Sequence, residues 1–338
     1  MVTADPMGAP GIRWGIIGPG RIAQRFAHEI PLYTRSRIVA VGSRDLLRAD
    51  RFVRECLASP RGVRAYGSYE ELAADEWVDA IYISSPHSEH HAHALLGLRA
   101  NKPILVEKAF TLNAAQAQEV FATAGQRHVF AMEAMWSRFL PHYSVMREIL
   151  EGSQIGEIRS IVGVHAQSLN MDPAWRLMNP ALGGGALLDL GIYPLSLIHW
   201  IWGIPDRIKA TGTLTTTGVD LRESISLWYK DRLAVAYADM GAAGKNSLQI
   251  VGTHGRLEIP DWFYTPQDLV LTLADGQTRV ISSRVEGGFQ YQAAEVARCL
   301  SSGMIESALM PWAATVDILL IMDEVRRQLG VKYPCEVQ

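Results

Sequence analysis

The chain has 338 residues, 48% of them hydrophobic and 20% charged, with 32 Lys and Arg against 35 Asp and Glu for a net charge of −3. At about 150 residues per domain this length suggests two domains, each with a real core, and the composition excludes global disorder and a fibrous chain. No basic excess draws the chain to nucleic acid, and its longest apolar run, residues 195–204, falls well short of the roughly 20 residues that cross a bilayer.

Residues 1–10 show no positive end followed by an apolar stretch and read as a loose tail. Cys56, Cys299 and Cys335 are far apart and odd in number, which fits reduced thiols and neither a disulfide framework nor a zinc pattern. A cytoplasmic location is inferred.

Over residues 11–135 short apolar runs alternate with helical patterns: IRWGII and IAQRFAHEI, RIVAVGS and LLRADRFVRECLA, DAIYIS and EHHAHALLGLRA, PILVE and NAAQAQEVFATAG, then HVFAM. That alternation predicts an α/β Rossmann-type domain, a parallel sheet with crossover helices on its faces. Ser68 with Glu71 and Asn113 with Gln116 have capping-box spacing, and Gly125 is placed at a helix C-terminus with positive φ.

Between Met132 and Leu150 the texture changes, and residues 136–338 read as an α+β domain with a large, mostly antiparallel open sheet. Asp275-Gly276 signals a tight hairpin. One helix is expected over 186–202, kinked at Pro194, and a closing helix over 304–329, broken near Pro311 and packing back on the first domain.

Gly18-Pro19-Gly20-Arg21-Ile22-Ala23 follows the first strand and opens the first helix. Gly18 permits the tight turn, Gly20 lets the backbone approach a pyrophosphate, and the free N–H groups of the helix start favour phosphate. The second strand ends at Ser43 and Arg44, where an aspartate would grip the 2′-hydroxyl of NAD. A hydroxyl with a guanidinium suits a 2′-phosphate instead, so the cofactor expected is NADP, with NAD accepted if Asp45 reaches the ribose.

The run Pro86-His87-Ser88-Glu89-His90-His91-Ala92-His93 could suggest zinc, but no third or fourth convergent ligand accompanies any pair. No metal is expected; the strand-to-helix turn puts Pro86, His87 and His90 at the carboxyl edge of the sheet, facing the cofactor. Glu107 and Lys108 end a later strand, and Asp189 and Tyr193 are four apart on one helix face. A lysine there can lower a neighbouring tyrosine's pKa, and the phenol can exchange a proton with an alcohol or carbonyl.

GPGRIA, the Glu107-Lys108 pair and GGGALLDLGIY together resemble the Gfo/Idh/MocA oxidoreductases across nearly the whole chain from Ile12. EKAFTLN, MEAMWSRFLP and Tyr193 are most similar to the dimeric dihydrodiol dehydrogenase branch, which includes NADP-dependent D-xylose dehydrogenases. The resemblance implies hydride transfer between nicotinamide and a CH–OH or C=O carbon of a sugar, polyol or cyclic diol, with Lys108, Asp189 and Tyr193 around the reacting carbon. It also implies a homodimer formed through the C-terminal sheet, with the strand LAVAYADM at the interface. Ala109 stands where the family usually has proline, and Tyr193 where many members have histidine. Trp136, Arg138, Trp175 and Arg176 are candidates for the substrate wall, since aromatic faces stack on ring carbons and guanidinium groups donate to oxygens. A non-catalytic NADP-binding sensor on the same fold is the alternative function.

Overall fold

A computed structural model describes residues 4–336. The first sheet is built from β1 (Arg13–Ile17), β2 (Arg37–Gly42), β3 (Arg64–Tyr66), β4 (Ala80–Ile83), β5 (Ile104–Glu107) and β6 (Ala131–Ala134). All pairs are parallel and the order is β3-β2-β1-β4-β5-β6, which places the switch in direction beside β1. β4 and β5 are buried at every position because helices cover both faces, which explains their unbroken apolar runs.

The crossovers are α1 (Arg21–Tyr33), α2 (Leu46–Cys56), α3 (Tyr69–Ala74), α4 (His87–Arg99) and α5 (Ala114–Arg127). α1 buries Ala23, Phe26, Ala27 and Ile30, an i, i+3, i+4, i+7 stripe. Phe26 there stacks on Tyr82 with ring centres 3.9 Å apart. Ser68 and Asn113 cap α3 and α5 through the N–H groups of Glu71 and Gln116, at 3.2 and 2.9 Å. Gly125 lies inside α5; the left-handed residue that ends the helix is His128, at φ 53°.

After α6 (Pro141–Glu151) comes β7 (Ile158–Ala166), then α7 (Ile192–Trp202) and the strands β8 (Arg207–Leu214), β9 (Asp220–Tyr229), β10 (Arg232–Asp239), β11 (Leu248–Gly252), β12 (Gly255–Ile259), β13 (Leu269–Leu273) and β14 (Thr278–Ile281). The eight-stranded order is β14-β13-β12-β11-β7-β10-β9-β8, antiparallel except for β7 beside β10. α7 packs against β7 and β10 on one face. On the opposite face Val162 and Leu233 stay 37% and 40% exposed.

Four expectations change. Residues 4–10 are not loose: Asp5 caps a 3-10 turn over Pro6–Gly8, Pro6 and Ala9 are buried, and Arg298 donates to the Asp5 carbonyl at 2.9 Å. The single helix expected over 186–202 is a π-helical turn, Leu187–Gly191, running into α7. Helix α8 (Phe289–Ser301), which lies against α1, escaped the sequence reading because it begins straight after Gly287 and Gly288 without a side-chain cap. The closing helix α9 (Trp312–Leu329) starts at Trp312 rather than Met304, with Pro311 as its N-cap, where the missing N–H costs no helical hydrogen bond. It does pack on the first sheet's helices, with Trp312 stacked on Phe121 and donating to the Ala131 carbonyl at 2.8 Å.

Candidate active site

A cavity of 880 Å³ opens at the carboxyl ends of the parallel strands, beside β1 where the order reverses. Of the residues singled out in the sequence, Gly18, Gly20, Arg21, Ile22, Ser43, Arg44, Pro86, His87, His90, Glu107, Lys108, Trp136, Trp175, Arg176, Asp189 and Tyr193 line it. Arg138 does not. It is buried behind the site, where its guanidinium donates to the hydroxyl and carbonyl of Ser196 at 2.9 and 2.7 Å and ties the turn after β6 to α7. The sequence could not separate a wall arginine from a bracing one, since Trp136 and Arg138 sit two apart on a single 3-10 turn.

The glycine turn has the geometry its residues permit. Gly18 adopts φ +86°, and a Cβ there would lie 2.7 Å from the Ser85 amide nitrogen, so no other side chain fits between β1 and the β4–α4 turn. A Cβ on Gly20 would meet nothing closer than 4.0 Å, which leaves open space over the start of α1. At the end of β2, Asp45 is occupied as the N-cap of α2, accepting from the Leu47 amide at 2.9 Å. Ser43, Arg44 and Asp45 all line the cavity, joined by Arg48. Arg48, in the first turn of α2 just after the Asp45 cap, was missed.

The four histidines of the α4 run do not converge on a metal. His87 Nδ1 donates to the Gly183 carbonyl at 2.8 Å, and its Nε2 faces the Lys108 carbonyl at 3.2 Å. The His90 ring lies between the carbonyls of Ala109 and Ser85, 2.8 Å from each. Burial drives both rings below the usual histidine value, to about 3 and about 4; a neutral imidazole has a single N–H, so each ring donates to one of its two carbonyls while packing beside the peptide after Lys108. That Lys108–Ala109 peptide is cis. His93 pairs with Ser85 and His91 with Glu119.

Lys108 leaves the end of β5 and meets the π-helical turn, its ammonium donating to the Asp189 carbonyl at 2.7 Å and to the Asp189 carboxylate at 3.1 Å. Arg176 donates to the same carboxylate oxygen at 3.1 Å. Burial alone would raise the Asp189 carboxyl, but Lys108 and Arg176 outweigh it and hold the group well below the ordinary carboxylate range.

The ammonium of Lys108 also stands over the Tyr193 ring, 5.1 Å from its centre. The Tyr193 hydroxyl oxygen instead accepts from the Trp136 indole at 2.9 Å, which leaves the phenol's own hydrogen free for another acceptor. The expectation that Lys108 depresses this phenol is overturned: burial raises the Tyr193 pKa, the nearby charges of Glu107 and Asp189 raise it further, and the ammonium is engaged by Asp189. The ring is wedged against Tyr264 and His165, with centres 4.7 and 5.3 Å away.

Five further lining residues went unnoticed in the sequence: Arg25, Tyr69, Ser84, Ser85 and Leu169. Arg25 reaches the cavity one helical turn past Arg21, with its guanidinium over the rings of Trp136 and Phe289 at 4.7 and 4.5 Å, held by Glu29 at 2.6 Å. Leu169 comes from the loop after β7 and carries no local signal at all. Within the cavity lining Glu107 accepts from Tyr82 at 2.6 Å, and its carboxyl is pushed up by burial to about 7.

Comparison with known proteins agrees with this geometry. Residues 12–135 match the oxidoreductase family with an NAD-binding Rossmann fold, and residues 143–258 match the GFO/IDH/MocA C-terminal domain. A trans-1,2-dihydrobenzene-1,2-diol dehydrogenase from Xenopus tropicalis is 35% identical over 333 residues, 95% of this chain and 99% of the relative. A D-xylose 1-dehydrogenase (NADP(+)) from Hypocrea jecorina is 33% identical over 96% of this chain and 93% of its own. Among solved structures, KijD10, a 3-ketoreductase from Actinomadura kijaniata in complex with NADP and TDP-benzene, superposes with a TM-score of 0.82 at 25% identity, covering 95% of this chain and 98% of that one.

Proposed function

Because the chain belongs to the Gfo/Idh/MocA oxidoreductases, we propose that it transfers a hydride between NADP and the CH–OH or C=O carbon of a sugar, polyol or cyclic diol. One observation carries the reading. A single cavity is lined by a phosphate-type glycine turn, by the Ser43, Arg44 and Arg48 cluster, and by Lys108, Asp189 and Tyr193.

The residues present fit the cofactor. Gly18, Gly20, Arg21 and Ile22 offer an open helix start to the pyrophosphate, and Ser43 with Arg44 and Arg48 offers two cations and a hydroxyl to a 2′-phosphate. Asp45 lines the same cavity with one carboxylate oxygen used as a helix cap, so its other oxygen offers a ribose hydroxyl an acidic partner and NAD is accepted beside NADP. When bound, NADP supplies the nicotinamide that gives or takes the hydride.

The chain's own residues handle the proton. In reduction the Tyr193 hydroxyl, kept protonated by burial and hydrogen-bonded at its oxygen by Trp136, gives its proton to the substrate oxygen. Oxidation is the reverse step: Tyr193 enters as the phenolate and takes the substrate's hydroxyl proton, with the Lys108 ammonium over the ring to offset the phenolate charge. Asp189 orients Lys108 and Arg176, while Trp136, Trp175 and Leu169 form the wall that a carbon ring would stack on.

The protein acts on a small molecule, and two copies pair through the open face of the eight-stranded sheet, where Val162, Val235 and Leu233 lie on adjacent strands. Free Cys56, Cys299 and Cys335 fit a cytoplasmic site of action. The test is a screen of pentoses, hexoses, inositols and dihydrodiols in both directions with NADP(H) and NAD(H), read by nicotinamide absorbance. Turnover with at least one class, faster with NADP(H), supports the reading; none with any class contradicts it.

A further inference from the structure

Arg25 stands on the cavity wall four residues past Arg21, about 6 Å further along α1 than the helix start that faces a pyrophosphate. A single indole links it to the reacting group. The Trp136 ring packs against the Arg25 guanidinium at 4.7 Å, and its N–H reaches the Tyr193 hydroxyl at 2.9 Å. Burial is what raises the Tyr193 phenol, and the Arg25 charge is near enough to act against it.

Distant parts of the chain hold the guanidinium in place. Its Nε donates to the buried Glu29 carboxylate at 2.6 Å, whose other oxygen accepts from the Phe289 amide at 2.8 Å. Trp136 and Phe289 meet edge to face with ring centres 5.0 Å apart, and the guanidinium covers both rings. Gly288 lets the chain pass this corner: at φ +154° it needs no side chain, and a Cβ there would come within 2.6 Å of the Trp136 ring. Of the two Nη groups, one reaches the Gly287 carbonyl only at 3.5 Å. Donors therefore remain for a molecule in the cavity.

Glu29 decides what kind of acceptor suits them. An unpaired arginine on the wall would select an anion, but here a carboxylate at 2.6 Å offsets the cation and leaves N–H donors with little net charge. The matching acceptor is a neutral hydroxyl or ring oxygen. A hydrocarbon ring laid over the same place would strip water from those donors and give no hydrogen bond in return.

We propose that Arg25 is a specificity-determining residue: its free Nη donors hold an oxygen of a neutral sugar or polyol beyond the reacting carbon, so that such substrates are favoured over cyclic diols whose ring carries no other oxygen. The inference rests on the reading of the cavity as a hydride-transfer site and narrows its substrate class.

The test compares the best neutral sugar or inositol of the screen with a dihydrodiol, in the native protein and in Arg25→Met/Glu29→Gln. The paired change removes the guanidinium without leaving Glu29 buried and unpaired, and an amide oxygen at position 29 can still accept from Phe289. In the variant kcat/KM for the sugar or inositol should fall about 10-fold more than that for the dihydrodiol, mainly through KM, with the NADPH Kd unchanged. Glu29→Gln alone serves should the paired variant fail to fold. It leaves the guanidinium uncompensated and should raise kcat/KM for a sugar acid such as a hexuronate relative to the neutral sugar.

A native protein that prefers the dihydrodiol overturns the inference and leaves the hydride-transfer reading standing. So does an equal loss on both substrates, no loss on either, or a loss that comes with weakened NADPH binding, the mark of a residue serving the cofactor. An unchanged sugar-acid preference in Glu29→Gln overturns it as well. No turnover by the native protein with any class and either nucleotide removes the reading of the site itself, and the inference with it.

Discussion

Lys108 is bound to Asp189 twice, at the backbone carbonyl and at the carboxylate, and this double contact decides how charge is arranged in the cavity. Asp189 carries one negative charge between the cations of Lys108 and Arg176, so the trio retains a net positive charge beside the Tyr193 ring. Such a field favours a substrate oxygen that gains negative character as a hydride arrives. It does so without the lysine having to ionise the phenol.

Cofactor choice follows from Arg44 and Arg48. The protein should bind NADPH more tightly than NADH, and Arg44→Ala and Arg48→Ala should each narrow the preference, since a charge-assisted contact to the 2′-phosphate is worth about 1.5 to 3 kcal/mol. Fluorescence titration with both nucleotides checks this. Equal affinities in the native protein would remove the phosphate-site assignment.

The buried glutamates give a pH signature. Burial pushes both Glu107 and Glu133 up from the ordinary 4.5 to about 7. A raised carboxyl favours the folded state fully below its unfolded value, and that contribution is lost as pH rises through the folded value. The window is therefore between 4.5 and about 7. The buried neutral rings of His87, His90, His142 and His165 act in the opposite sense below 6.5, so the comparison is best made between variants. Glu107→Gln, which can still accept from Tyr82, should gain stability relative to the native protein between about pH 5 and about pH 8 in urea unfolding. An unchanged difference across that range would show that Glu107 is ionised in both states.

Assembly is tested on the open sheet face. Val162 and Val235 are register partners across β7 and β10, and Leu233 lies on the same face two residues away. Sedimentation should show a dimer at micromolar concentration, and Val162→Glu should shift it to monomer by burying an unpaired charge. A native protein that stays monomeric contradicts the proposal.

Much of the fold was legible because it is written in local chemistry. The alternation of apolar runs and amphipathic stretches marks the parallel sheet, and the glycine turn is recognisable since Gly18 must adopt a positive φ between strand and helix. Lys108 could be named because it follows β5, at the edge where parallel sheets present side chains, while Asp189 and Tyr193 were named by their four-residue spacing and by the resemblance to the family. Contacts set by distant packing were not legible. Arg138 and Arg176 are both arginines beside aromatic residues, yet one braces Ser196 and the other holds Asp189, and only the path of the chain between them separates the two. The Tyr193 phenol was misjudged for a similar reason. Its partner is the Trp136 indole, 57 residues away, and a lysine close in space is already bound to something else.

The central claim is that the Tyr193 hydroxyl carries the proton while the rest of the cavity holds cofactor and substrate. The most direct test is kcat for Tyr193→Phe on the best substrate from the screen, beside its NADPH Kd. The account predicts a fall in kcat of about 100-fold or more, the scale of general acid–base catalysis, with NADPH binding close to native. Near-native turnover in Tyr193→Phe would contradict it.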